Sequence, residues 1–186
     1  ADIENNIVIL NNPIVKTDNL TTSVTAKNNR IISLAAINND TINALNSTCS
    51  TSNIPIIYEQ NCILNPRYYH DGFGWHNCIY INTYIDFSIK HNFTAGAGQS
   101  NIIIKSGSNV TNTTGHCNYN ILYLAGIYIK GQSNVLVYNN TIVDAVISGI
   151  ILAPGDDLTA IQTCLLRNNV IVNIVSATPL LVTIRS

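Results

Sequence analysis

Few side chains in this 186-residue chain could do chemistry, and most are scattered. Asp156 and Asp157 are adjacent carboxylates behind Pro154 and Gly155. Paired carboxylates are what acid–base cleavage of a glycosidic bond requires. Pro, Gly and Asp are equally what a turn between strands requires, so no catalytic residue is assigned and these two stand only as candidates. The other acidic residues are dispersed, too sparse for a calcium site of several carboxylates. The four His and five Cys have no metal-ligand spacing, so neither a metal nor a cofactor is expected. The segment from Tyr68 to His76 clusters aromatic residues around the single Trp. Its Tyr69, Trp75 and His76 are candidates for carbohydrate contact, since sugar sites combine apolar rings with a few polar groups. Phe73 and Trp75 would serve as well to cover an edge of the core.

The cysteines suit cross-links better than catalysis. Cys49 and Cys62 are candidates to pair, as are Cys78 and Cys117, with Cys164 left as a buried thiol; spacing alone does not decide the connectivity. Asn-x-Thr sequons occur at Asn19, Asn39, Asn46, Asn92, Asn109, Asn112 and Asn139. Chance pairing of 28 Asn with 17 Thr would give roughly 2.6. The excess points to covalent N-glycans on an extracellular chain, with Asn109 and Asn112 the leading acceptors. Ala1 in place of a start Met is read as the first residue of a processed, secreted chain.

Positioning these residues falls to strands. Ile and Asn supply 30 and 28 residues, and they favour strands and turns over helices. With nine Lys plus Arg and a net charge of −1, the chain lacks the basic surface that nucleic-acid binding needs. No apolar run approaches the ~20 residues of a membrane-spanning helix. A repeat organises the rest. Asn5–Val15, Ser133–Val143 and Gln162–Val172 each read as an apolar strand, Asn-Asn, and a second short strand. Fainter copies bring the repeat starts to residues 5, 28, 54, 76, 100, 133 and 162. Such units are too short for propeller blades and fit single coils of a solenoid. Asn11, Asn82, Asn139 and Asn168 share one frame position, where Asn tolerates the left-handed corner and can stack as a ladder. A ladder role would make Asn139 a poor glycan acceptor, leaving Asn19, Asn39, Asn46 and Asn92 beside the leading pair.

The stretch Asn134–Leu152, NVLVYNNTIVDAVISGIIL, resembles the repeats of right-handed parallel β-helix proteins of the pectin-lyase-like superfamily. That resemblance implies an all-β, right-handed parallel β-helix solenoid of about seven coils, with residues 1–186 forming a single domain. Gly155–Ile161 also resembles the GDDxxAI stretch of polygalacturonases, but the other three motifs of that family are not in place. One motif of four does not assign an enzyme activity.

A solenoid of this kind has two open ends, and neither terminus reads as a capping helix. Ile7 and Ile9 at one end and Leu181, Val182 and Ile184 at the other are the expected assembly residues. The expectation is a secreted, N-glycosylated structural subunit, a homo-oligomer joined end to end into an extracellular filament or surface appendage. The rival expectations are a carbohydrate-active or carbohydrate-binding β-helix protein, and a segment of a larger adhesin.

Overall fold

The computed structural model describes residues 2–10, 15–18, 23–33, 43–49, 55–64, 77–83, 86–96, 100–105, 114–131, 134–145, 148–153, 163–172 and 182–184. These residues form 21 strands and no helix. Among them, no helix is long and apolar enough to cross a membrane, which says nothing of a β-barrel.

The strands make three seven-stranded sheets, entirely parallel. Sheet A holds β1 (Asp2–Glu4), β4 (Val24–Lys27), β7 (Ile56–Glu59), β10 (Phe87–Lys90), β13 (Thr114–Asn118), β16 (Asn134–Tyr138) and β19 (Thr163–Arg167). Sheet B holds β2 (Ile7–Leu10), β5 (Arg30–Ser33), β8 (Cys62–Leu64), β11 (Phe93–Ala95), β14 (Ile121–Tyr123), β17 (Thr141–Val143) and β20 (Val170–Val172). Sheet C holds β3 (Val15–Asp18), β6 (Asn43–Cys49), β9 (Asn77–Thr83), β12 (Ile102–Lys105), β15 (Ile127–Lys130), β18 (Ile150–Ala153) and β21 (Val182–Ile184). The chain visits A, B and C in that order seven times, and each passage is called a rung below.

Alternation at period two decides which side chains turn inward. In β7, Ile56 and Tyr58 are buried while Ile57 and Glu59 are half-exposed. Inward residues of all three sheets share one apolar core: Ile56, Ile89 and Val137 from A, Ile31, Ile63 and Leu122 from B, and Ile79, Ile104 and Ile129 from C. Burying each such side chain contributes about 1.5–3 kcal/mol before chain entropy is charged against it. Stacked rungs must also match in volume. The Phe87 ring lies over Gly115, its register partner, where a Cβ would meet ring carbons at 2.0 Å. Sheet C is apolar on its outer face too, where Ile103, Tyr128, Ile151 and Ala153 form a second cluster. This explains its continuous Ile runs, since strands buried on both faces do not alternate.

The structure keeps the expected seven repeats but shifts several frames. The repeats placed at residues 76 and 100 are strands β9 and β12 of sheet C. The fourth and fifth A–B units are instead Phe87–Ala95 and Thr114–Tyr123. The first corner is Asn5-Asn6, with Asn11 outside the described residues.

Candidate functional site

The most regular feature of the molecule is the corner between sheets A and B. Two residues separate the A strand from the B strand in all seven rungs. The first always has positive φ: Asn5, Asn28, Gln60, His91, Tyr119, Asn139 and Asn168, between 50° and 59°. The second is always Asn: Asn6, Asn29, Asn61, Asn92, Asn120, Asn140 and Asn169. This second column, one residue beyond Asn139 and Asn168, forms the ladder. The sequence frame had placed Asn139 and Asn168 themselves in it, and Asn82 lies on β9 in sheet C.

Each ladder Asn between the two end rungs uses its carboxamide fully. Asn92 donates from its backbone N and its Nδ2 to Asn120 Oδ1, both at 3.0 Å, and from Nδ2 to Tyr58 O at 2.9 Å. Its own Oδ1 accepts from Asn61 N and Nδ2, both at 3.0 Å. The same pattern joins Asn6 to Asn29, Asn29 to Asn61, Asn120 to Asn140 and Asn140 to Asn169. The ladder thus runs one way, every Oδ1 accepting from the rung before it. Among the described residues, Asn6 Oδ1 therefore meets no donor, and Asn169 N and one Nδ2 hydrogen meet no acceptor. Backbone bonds follow the corner as well. Asn139 N donates to Arg167 O, and Val170 N donates to Asn140 O.

Asn92 was expected as a glycan acceptor, and the ladder corrects that. It is 1 % exposed and both Nδ2 hydrogens are in use, so a glycan there is incompatible with the ladder. Asn139 is a half-exposed corner residue, and the ladder bonds expected of it belong to Asn140. Asn46 sits half-buried in β6. Asn19, Asn39, Asn109 and Asn112 lie outside the described residues, as do Asp156, Asp157, Tyr69, Trp75, His76 and Leu181.

The expected cysteine cross-links are absent where they are described. Cys62, Cys78, Cys117 and Cys164 are free thiols. Cys78 is in sheet C and Cys117 in sheet A, both buried in the shared core and not bonded to each other. Cys78 Sγ donates to Asn101 Oδ1 at 3.3 Å, and Cys117 Sγ accepts from Asn120 Nδ2 at 3.5 Å. Burial disfavours the thiolate and pushes both thiols far above their ordinary pKa. The same cause pushes Cys164 up to about 11. Cys49 is in β6, and its side chain is not described.

The structure also brings together an aromatic group that the sequence reading did not single out. His91 and Tyr119, on successive corners, stack with centroids 5.1 Å apart and planes 2° from parallel. Tyr138 meets Tyr119 edge-on at 5.8 Å and His116 at 6.4 Å. Phe93, Ile121 and Tyr123 stand exposed on the adjoining strands of sheet B. These rings are spread over more than 40 positions of sequence, so only the rung spacing could reveal them.

Ile7 and Ile9 project from β2, the end strand of sheet B, and are 73 % and 60 % exposed. Val170 and Val172 are exposed on β20, at the sheet's other end. Val182 and Ile184 belong to β21, an end strand of sheet C. Among the described residues, no three His, Cys, Asp or Glu side chains converge where a metal could be held. The chain matches no protein-family profile, no curated protein and no solved structure.

Proposed function

We propose that the chain is a structural rod subunit that stacks end to end on further copies of itself. The observation that carries this reading is the polarity of the ladder. One end offers donors at Asn169 and the other an acceptor at Asn6. A contact between unlike ends does not close on itself and propagates as a filament. β1 and β2, the end strands at one end, and β19 and β20 at the other have no further strand beside them among the described residues, which fits the same contact.

Three parallel sheets visited cyclically around one core support a right-handed parallel β-helix of the pectin-lyase-like kind. A secreted, N-glycosylated coat completes the proposal, with glycans on sequons other than Asn92. Negative-stain electron microscopy of the purified chain tests the assembly, with filaments expected. Deleting Leu180–Ser186, which removes β21, should leave monomers; filaments that persist after the deletion count against end-to-end stacking.

A second reading has its own observation. The exposed His91 and Tyr119 rings stack at rung spacing with Phe93 and Tyr123 exposed beside them, the kind of surface that carries sugar chains. Affinity electrophoresis in polysaccharide gels tests it. Retardation that Tyr119→Ala removes would support carbohydrate binding, and unretarded migration in neutral and acidic polysaccharides would reject it.

A further inference from the structure

The end-to-end reading leaves open which residues meet at the junction. The corner fixes them, because every rung keeps one register relative to its ladder Asn. Two residues before each ladder Asn runs one register column, solvent-accessible except at the buried Asn118: Glu4, Lys27, Glu59, Lys90, Asn118, Tyr138 and Arg167. Charges alternate up this column. Glu59 lies between Lys27 and Lys90, with N···O separations of 3.5 and 2.8 Å. Asn118 and Tyr138 are neutral, and Arg167 closes the column at the last rung. Glu4 opens it at the first. The two ends of the column carry opposite charges.

We infer that copies join in a single register, with Arg167 of one copy over Glu4 of the next and Asn169 over Asn6. This inference rests on the end-to-end reading and adds its geometry. Repeating the spacing found within the chain puts Asn169 N and Nδ2 on Asn6 Oδ1 of the next copy. Asn168 N reaches Glu4 O of that copy, as Asn139 N reaches Arg167 O within the chain. Ile7 N of the next copy reaches Asn169 O, as Val170 N reaches Asn140 O. Leu166, packed against the core at one end, covers Ile3, packed against it at the other. The exposed pairs Val170/Val172 and Ile7/Ile9 fall on each other across the same junction. A slip of one residue would set inward side chains against outward ones and break every one of these matches. A slip of two would take Arg167 off Glu4 and Asn169 off Asn6.

Cysteine cross-linking reads the register directly, since a disulfide needs Cα atoms within about 7 Å. The exposed pair Glu4→Cys/Arg167→Cys, mildly oxidised at assembling concentration, should give a ladder of covalent multimers on a denaturing gel. Glu4→Cys/Leu165→Cys, two residues out of register, should give none beyond the unmodified chain. Charge reversal gives a second readout by light scattering. Arg167→Glu should weaken association about five- to tenfold, and Arg167→Glu with Glu4→Arg should recover most of the loss. Circular dichroism confirms that each variant keeps its strands. If the unmodified chain associates but the out-of-register pair cross-links better, or the double reversal fails to recover, the register is wrong and end-to-end stacking stands. A chain that stays monomeric at every concentration overturns both.

Discussion

The corner between sheets A and B and the two other connections of each rung obey different rules. The corner is two residues long in all seven rungs, with one backbone conformation and one Asn position. From B to C the intervening segment ranges from three residues (124–126) to twelve (65–76), and from C to A from three (84–86) to nine (154–162). Successive ladder Asn are therefore 20 to 32 residues apart although every rung is one strand spacing high. The difference is one of satisfied hydrogen bonds. At each interior corner the carboxamide is bonded both to the rung before and to the rung after, so an added residue would break bonds in three rungs. Loop length elsewhere costs only slowly growing closure entropy.

The largest expected effect comes from breaking the corner. Asn92→Ala leaves Asn61 N and one Asn61 Nδ2 hydrogen without an acceptor inside the core, and takes one side-chain donor each from Tyr58 O and Asn120 Oδ1, which keeps the backbone N of residue 92. We expect a loss of about 3–5 kcal/mol in urea unfolding, against less than about 1 kcal/mol for one Gly inserted between Lys105 and Thr114. Tolerance outside the corner should still have limits. A Cβ on Gly126, in the short 124–126 connection, would lie 1.9 Å from Gly149 O. Gly126→Ala should cost about 1–3 kcal/mol, measured in the same way. Thr94 sharpens the comparison from the inside. Its Oγ1 is buried without a partner, two residues beyond Asn92, in the column that Ile63 and Leu122 fill with carbon. Thr94→Val should stabilise by about 1 kcal/mol, and it removes the Asn92 sequon without touching the ladder. The smallest effect should come from Gln60, which holds φ of 55° against its preference. Gln60→Gly should stabilise by about 0.5 kcal/mol, visible as a small rise in the urea midpoint. As a separate check, Cys78 and Cys117 should resist thiol reagents at pH 8 until unfolding, because burial holds them as thiols.

Seven strand–turn units, the all-β class and an Asn ladder at a left-handed corner were all legible in the sequence. Three units, those with Asn139-Asn140, Asn168-Asn169 and Gln60-Asn61, were framed correctly. The others slipped for a physical reason. Doubled Asn was the visible cue, but only the second Asn is required by the hydrogen bonding. The first position needs only to tolerate positive φ, and His91 and Tyr119 do so here while stacked on each other. A search for single Asn after an alternating strand would have found Lys90-His91-Asn92 and Asn118-Tyr119-Asn120. The both-face burial of sheet C hid its period, so β9 and β12 resembled the A–B unit by their apolar run alone. The cysteine pairing failed because neighbouring repeat numbers do not mean neighbouring sheets.

The ladder also has an electrical consequence. Its carboxamides all point the same way, so their dipoles add along the stack as peptide dipoles add along a helix, and aligned bonds polarise one another. Among the described residues, the unmet Oδ1 of Asn6 leaves the first rung partly negative, and the unmet N–H groups of Asn169 leave the last partly positive. Asp2 and Glu4 lie beside the negative end and Arg167 beside the positive one, each opposed by the local field. The stack of seven ladder Asn therefore carries an axial dipole that these charged residues enlarge. Under the proposed stacking, each unit added in line with the first would cancel one pair of poles, and the field penalty would belong to the two tips at any length.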